Sequence, residues 1–201
     1  HAGQIRKAVQ LLLAAERPMI YTGGGVILSD SAPEVNKLVD KLGYPCTNTL
    51  MGLGGYRSSS EKFVGMLGMH GARYTNLVLE EADLLICVGA RFDDRAIGRT
   101  AQFCPNAKII HIDIDRSELH KIKNAHVAIN ADVTAALEAL LPRVRATLRT
   151  DWLAQVAELK QRFPMQFPDV DDPRSHYGLI KAVADALDDE AVIATDVGQH
   201  Q

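Results

Sequence analysis

Short uninterrupted apolar runs recur along the chain, and most of them end abruptly in glycine or in a small polar or acidic residue. The clearest is Leu84-Leu85-Ile86-Cys87-Val88, which passes straight into Gly89-Ala90-Arg91-Phe92-Asp93-Asp94. A continuous apolar run of this length, bounded by a turn residue, predicts a strand buried on both faces of a sheet. The same reasoning predicts strands over residues 18–22, 45–47, 64–68, 108–113 and 127–130. Between them the period changes to that of amphipathic helices, over residues 4–15, 76–82 and 133–148. A further helix begins near Ser31-Ala32-Pro33-Glu34, with Ser31 as its N-cap and Glu34 reaching back as a capping box. Its face of Val35, Leu38, Val39 and Leu42 stops at Gly43. Strand and helix alternate throughout, which predicts an α/β fold: a doubly wound, mostly parallel sheet with helices on both faces.

Beyond about residue 150 the pattern changes. Residues 152–163 have helical spacing, and the stretch 164–173 holds Pro164, Pro168 and Pro173 with acidic residues near its end. Residues 175–187 and 191–195 then start a new helix and strand. The expected organisation is an α/β domain over 1–150, a helix and linker over 151–175, and the start of a second domain over 176–201. The sequence opens at His1 without methionine and closes on Asp196-Val197-Gly198-Gln199-His200-Gln201 just after a strand-like run, as expected of an internal piece of a longer polypeptide.

Composition narrows the function classes. With 47% hydrophobic and 23% charged residues, the chain has an ordinary globular composition able to bury a core. A net charge of -3 carries no basic footprint for nucleic acid, and no apolar run is long enough to span a bilayer. Cys46, Cys87 and Cys104 are odd in number and lack CxxC spacing, so free buried thiols in a reducing cytoplasm are expected rather than disulfides or a zinc site.

Two chemical readings bear on the strand ends. Gly23-Gly24-Gly25 after the first strand suggests dinucleotide binding, but Leu28 stands at the third glycine position and the second strand ends in Thr47-Asn48-Thr49 without a carboxylate. The usual NAD mode is therefore disfavoured. Convergence is the stronger signal: Gly24, Thr49, Gly68, Gly89 and the carboxylates Asp113 and Asp132 all follow strands, and a parallel sheet places them on one edge. Glycines admit a flat ligand to the backbone, Arg91 suits a diphosphate, and Asp113 or Asp132 suits a ribose or adenine donor. The alternatives stay open: Asp132 and Asp115 also fit helix caps, and Met69-His70 fits either a packed pair or the border of a ring system. No HExxH, GxSxG, Walker lysine or nucleophile–base spacing is present.

Five segments together resemble the acetohydroxyacid (acetolactate) synthase family, the thiamine diphosphate enzymes of branched-chain amino acid synthesis. They are Thr49-Leu50-Met51-Gly52-Leu53-Gly54, Leu67-Gly68-Met69-His70-Gly71, Gly89 to Arg95, His111-Ile112-Asp113-Ile114-Asp115 and the terminal Asp196 to Gln201. The resemblance covers essentially the whole chain and implies the Rossmann-like central domain of the large catalytic subunit, plus the beginning of its carboxy-terminal domain.

It further implies FAD bound across the strand ends, with no net redox role for the flavin. Carried over by motif, Gly24, Thr49, Leu50, Leu67, Gly68, Met69, His70, Gly89, Ala90, Arg91, Phe92 and Asp93 would line flavin and diphosphate. Asp113, Ile114, Asp132 and Val133 would hold the adenosine end. Asp94 and Arg95 would face the substrate channel, and Gly198, Gln199 and His200 would touch thiamine diphosphate. Catalytic and metal-ligating residues, including those for Mg2+, are expected outside this stretch, so the fragment alone is expected to be inactive. The implied partners are the 2-oxoacids pyruvate and 2-oxobutanoate, further copies of the large subunit and a small regulatory subunit. A glyoxylate carboligase or pyruvate oxidase, or a stand-alone nucleotide-binding module, would share much of this pattern; the Arg91-Phe92-Asp93-Asp94-Arg95 run favours the synthase.

Overall fold

The computed structural model describes residues 2–188, 190–196 and 198, and the chain divides into two compact units, His1–Pro164 and Met165–Gln201. The first unit is built on six parallel strands: β1 (Pro18–Thr22), β2 (Cys46–Asn48), β3 (Phe63–Met66), β4 (Leu84–Val88), β5 (Lys108–Asp113) and β6 (Val127–Asn130). Their spatial order is β3-β2-β1-β4-β5-β6, a doubly wound sheet whose direction of growth reverses between β1 and β4. β4 is the best-paired strand: each of its five residues is in register with β1, from Pro18↔Leu84 to Thr22↔Val88, and with β5, from Leu84↔Lys108 to Val88↔Ile112.

Because side chains alternate across a strand, the continuous apolar runs feed two separate cores. Leu84, Ile86 and Val88 join Ile20, Ile110, Ile112, Val127 and Ile129 beneath the helices α1 (Ala2–Ala14), α3 (Ala32–Leu42) and α6 (Val133–Leu140). Leu85 and Cys87 point the other way, into a core with Met19, Tyr21 and Ile109. That second core is closed by α4 (Arg73–Glu81) and α7 (Thr150–Arg162). Two short helices, α2 (Gly24–Leu28) and α5 (Asp94–Ile97), follow β1 and β4 directly.

The predicted strands all form in the first unit, with boundary differences that have local causes. Helix α4 starts at Arg73 rather than at residue 76, since the Thr75 hydroxyl donates to the Val64 carbonyl and so satisfies itself inside the core. Helix α6 ends at Leu140 because Pro142 lacks the N–H needed to continue it, although Val144 is still buried beyond the break. Helix α3 ends at Gly43 in the left-handed region, φ 65°, as its sequence suggests. The expected capping box at its start does not form. The buried Ser31 hydroxyl instead lies 2.6 Å from Thr134 Oγ1 on α6, and Glu34 accepts from Lys37 Nζ at 3.2 Å. A neighbouring helix has captured the capping side chain.

Trp152 and Val156 of α7, placed by the sequence reading in a connecting segment, are core residues of the first unit. The indole Nε1–H donates to the Pro18 carbonyl at 2.9 Å, tying α7 to the start of β1. The second unit contains α8 (His176–Ala186), capped by Ser175 Oγ accepting from Gly178 N–H at 2.9 Å. The strand expected over 191–195 is not present: residues 191–196 have no regular structure, and Val192 and Ile193 are exposed. A strand needs a paired neighbour and a face to bury, and this unit supplies neither among its described residues.

Trp152 allows a clean test of the α7 anchor. Trp152→Ala is expected to lower unfolding free energy by about 3–5 kcal/mol, and Trp152→Phe, which keeps most of the packing but orphans the Pro18 carbonyl, by about 1–3 kcal/mol. Urea midpoints of the two variants measure this. Equal losses would assign the anchor to the hydrogen bond rather than to packing.

Candidate functional site at the carboxyl edge of the sheet

Ligands of open parallel sheets gather beyond the strands' carboxyl ends, at the point where the strand order reverses. Here that point is unusually closed. A Cβ on Gly23 would lie 2.4 Å from the Gly89 carbonyl oxygen, and Gly25 N–H donates to that oxygen at 2.9 Å. The turns after β1 and β4 therefore meet backbone to backbone. A ligand has no slot between the strands and must lie across the loops.

The turn after β4 is held from below by three buried side chains. Gly89 takes a positive φ of 55° and donates its N–H to the Ile112 carbonyl at 2.9 Å. The Ala90 carbonyl accepts from His111 Nε2 at 2.8 Å and from the Cys87 thiol at 3.0 Å. The next carbonyl, that of Arg91, accepts from the Tyr21 hydroxyl at 2.9 Å. Phe92 is buried, with its ring centroid 5.1 Å from His111, 6.0 Å from Tyr21 and 6.2 Å from Phe103. Its side chain is thus part of the core, and only its backbone is left to meet a ligand. Arg91 projects outward with its Nε 3.4 Å from Asp93 Oδ2. The other carboxylate oxygen of Asp93 accepts from Ala96 N–H at 3.0 Å and caps α5.

The loop after β2 carries Thr49, whose Oγ1 accepts from Gly52 N–H at 3.0 Å and opens a single 3-10 turn, Leu50–Gly52. Gly24 faces this turn, and a Cβ on it would lie 3.2 Å from the Met51 Cβ. After β3, Gly68 is gripped on both sides by one side chain: its N–H donates to Asn76 Oδ1 and its carbonyl accepts from Asn76 Nδ2, each at 3.0 Å. Met69 N–H donates to the Arg95 carbonyl at 3.0 Å, which joins the β3 and β4 loops. Leu67 is buried, whereas Met69 and His70 are exposed, so the packed-pair reading of these two falls.

At the β5 end, Asp113 Oδ1 accepts from Asp115 N–H at 2.8 Å. Asn130 Nδ2 donates to the carbonyls of Asp113 and Ile114 at 3.0 and 2.8 Å. Asp132 Oδ1 accepts from Ala135 N–H at 3.2 Å and caps α6, and Asp115 Oδ1 accepts from Ser117 N–H at 2.8 Å. The helix-capping reading is therefore realised for Asp132, whereas Asp115 closes a turn with no helix after it. Val133 is buried in the core beneath. Above this framework Leu50, Met51, Leu53, Met69 and Ile114 are exposed, an apolar fringe along one edge.

Two shallow depressions, of about 330 and 400 Å³, flank α5. The smaller runs from Arg91 and Asp93 to Lys121 and Ile122, and the larger from Gly68 and Met69 to Arg99. Asp94 borders both, and Arg95 neither; the guanidinium of Arg95 lies 4.0 Å from Asp94. Among the described residues no three His, Cys, Asp or Glu side chains gather as a metal site, and no helix is long and apolar enough to cross a membrane. Gly198 is exposed in the second unit, and Gln199 and His200 lie outside the described residues.

Tyr21, His111, Asn76 and Asn130 are the edge-shaping residues that motif reading passed over. Their signal was present. Each is polar at a position inside or at the end of an apolar element, where a partner is obligatory. His111 is fully buried, and its acceptor partner fixes the proton on Nε2, leaving Nδ1 as a buried lone pair with no partner among the described residues. Burial lowers its pKa below the ordinary 6.5, against the opposing pull of the Ala90 carbonyl and Asp113. Burial lifts the Cys104 thiol to about 12 and also holds the Cys46 and Cys87 thiols well above their ordinary 9.0, so all three free cysteines are unreactive as nucleophiles.

Residues 5–140 match the thiamine pyrophosphate enzyme, central domain, family. Among curated proteins the chain is 57% identical over 197 residues to the acetolactate synthase isozyme 1 large subunit of Escherichia coli K12, an alignment covering 98% of this chain and 35% of that protein. It is 39% identical over 199 residues to the isozyme 2 large subunit of the same organism, covering 98% and 36%. Against acetolactate synthase 3, chloroplastic, of Brassica napus it is 38% identical over 204 residues, covering 98% and 31%. The chain thus spans about a third of the length of these relatives.

Two expectations follow from the geometry. Gly89→Ala is expected to cost about 2 kcal/mol or more, because its left-handed backbone would place a methyl 2.9 Å from the Gly25 backbone, while Gly24→Ala stays within about 0.5 kcal/mol. Chemical denaturation compares them, and equal losses would contradict the backbone contact. The second concerns acid. Since the folded state holds His111 neutral below its unfolded pKa, the unfolded chain binds the extra proton. Stability is fully present above pH 6.5 and falls as the pH drops below it, with a slope of at most about 1.4 kcal/mol per pH unit from this residue. His111→Gln is expected to flatten the urea midpoint between pH 7.5 and 5.5. An unchanged slope would assign the acid loss to other groups.

Proposed function

The chain belongs to the thiamine pyrophosphate enzyme family, and on that premise we propose that it is the FAD-binding central domain of an acetolactate synthase large subunit, with the start of the following domain. The observation that carries this reading is the single edge on which six strand-end loops present glycines, free backbone and carboxylates to one side. Five strand spacings of about 4.8 Å make that edge about 24 Å long, suited to an extended dinucleotide lying across it.

The residues fit such a group. The apolar fringe of Leu50, Met51 and Met69 suits a flat ring system, with Gly24, Thr49, Leu67, Gly68 and His70 beside it. The Gly89 to Asp93 turn suits the diphosphate. Asp113, with Ile114, Asp132 and the backbone of Val133, suits the adenosine end. Asn48 at the end of β2 disfavours NAD, which calls for a carboxylate there. Asp94, which borders both depressions, and its neighbour Arg95 would face the substrate channel. FAD in this setting serves structure rather than net electron transfer, and thiamine diphosphate, met through Gly198, Gln199 and His200, supplies the carbanion chemistry.

In the whole protein the reaction would be condensation of two 2-oxoacids, pyruvate with pyruvate or 2-oxobutanoate, with loss of carbon dioxide. Mg2+ would anchor the thiamine diphosphate through residues outside this stretch. Assembly as a large-subunit dimer or higher oligomer with a small regulatory subunit, in the cytoplasm, completes the reading. The same reading puts the boundary between the central and the following domain within residues 150–175, a stretch that includes Pro164, Pro168 and Pro173.

Titrating the chain with FAD and with NAD, followed by flavin fluorescence and by calorimetry, tests this. Saturable FAD binding that NAD does not displace is expected, weakened about tenfold or more by Asp113→Asn if the carboxylate takes a ribose or adenine donor. Tight NAD binding with no response to FAD would overturn the proposal. Acetolactate formation by these 201 residues alone would overturn the assignment of catalysis to other segments.

A further inference from the structure

The turn after β4 has its carbonyls drawn inward in succession, and a consequence follows from peptide geometry alone. The chain has no cis peptide bonds among its described residues, so each carbonyl is antiparallel to the N–H of the next residue. The Ala90 carbonyl points at His111 Nε2 and the Cys87 thiol, so Arg91 N–H points away from them. The Arg91 carbonyl points at the Tyr21 hydroxyl, so Phe92 N–H points away from that buried oxygen. Neither amide has an acceptor among the described residues, and the Arg91 guanidinium stands exposed beside them. Successive unpaired amides beside a cation form an anion-binding concavity.

The three donors are built for this task. Tyr21 and His111 come from strands flanking β4, β1 on one side and β5 on the other, and are fully buried. Phe92, wedged between both rings, prevents the turn from rolling over. A buried hydroxyl and imidazole each spent on one loop carbonyl are costly unless the loop's orientation matters.

We propose that Tyr21 and His111 are positioning residues that fix the 90–91 and 91–92 peptide planes so that the amides of Arg91 and Phe92 receive the diphosphate of the bound dinucleotide. This rests on the FAD reading given above and specifies which atoms take the charged part of the ligand. Neither side chain touches the ligand itself. Each acts through a carbonyl on the far side of a peptide bond.

The test uses the full chain with Tyr21→Phe, which removes one oxygen and keeps the ring, and with His111→Leu and His111→Gln, the latter retaining a donor at the reach of Nε2. Binding of FAD, ADP and riboflavin is measured for each, with urea midpoints alongside. Tyr21→Phe and His111→Leu are expected to weaken FAD and ADP roughly tenfold and riboflavin, which has no phosphate, by less than about twofold. His111→Gln is expected to restore much of the FAD affinity. A merely structural role would lower stability and weaken all three ligands together, or none. Wild-type binding of ADP but not FAD, with the same variant losses, would overturn the flavin reading and keep the positioning role. FAD binding of unchanged strength in Tyr21→Phe and His111→Leu would overturn the positioning role and keep the flavin reading. No binding of any of the three by the wild type would overturn both.

Discussion

The turns at the centre of the ligand edge take their place from β4, which is paired along all five residues with β1 and β5. A strand so paired has no freedom to slip, because a shift of one residue would exchange the contents of the two cores. Leu84, Ile86 and Val88 would then leave the α1, α3 and α6 side, and Leu85 and Cys87 would enter it. The register also sets Tyr21 and His111 on the same face as Cys87, opposite one another across β4 in the pairs Tyr21↔Cys87 and Cys87↔His111. Three side chains in one row across three strands end beneath one turn. The geometry of that turn is therefore a property of sheet register, and register is a property of apolar alternation.

Much of this was legible in the sequence because it depends on that alternation. The strands and the two faces follow from runs such as Leu84 to Val88, and the common edge follows from placing parallel strands side by side. What was not legible depends on neighbours distant in sequence. Ser31 has the spacing of a capping residue, yet Thr134, more than a hundred residues away, takes its hydroxyl. Residues 191–195 have a strand's composition but no strand to pair with among the described residues of their unit. Trp152 looks like part of a connecting helix until its indole is seen on Pro18. Within the site, Phe92 and Val133 stand in motif positions, but their side chains belong to the cores, so that at these positions the motif marks backbone rather than side-chain chemistry.

The same distinction explains which groups at the edge are exposed and which are spent. Asp93, Asp115 and Asp132 have their carboxylates engaged by N–H groups two or three residues ahead, which keeps the loops short and rigid. Asn76 and Asn130 do equivalent work on carbonyls and amides after β3 and at β5. What remains for a ligand is chiefly backbone, the apolar fringe, Arg91 and the second oxygen of Asp113. An edge of this composition, among the described residues, is suited to binding and orienting a ligand.

The choice of donors beneath Ala90 and Arg91 also decides how the edge responds to pH. A thiolate at Cys87 would lose its hydrogen and set a negative charge against the Ala90 carbonyl, but burial holds that thiol well above its ordinary value of 9.0. The Tyr21 hydroxyl is likewise held protonated far above 10.0, chiefly by burial. Neither donor is lost on raising the pH through the physiological range. His111 differs in kind. Neutral, it already donates from Nε2, and a second proton on Nδ1 would enter a buried position with no acceptor among the described residues. Acid therefore acts on this turn by destabilising the unit that carries it, not by removing a bond from it. All three donors keep their hydrogens in the folded state, so the orientation of the two peptide planes is constant for as long as the fold is.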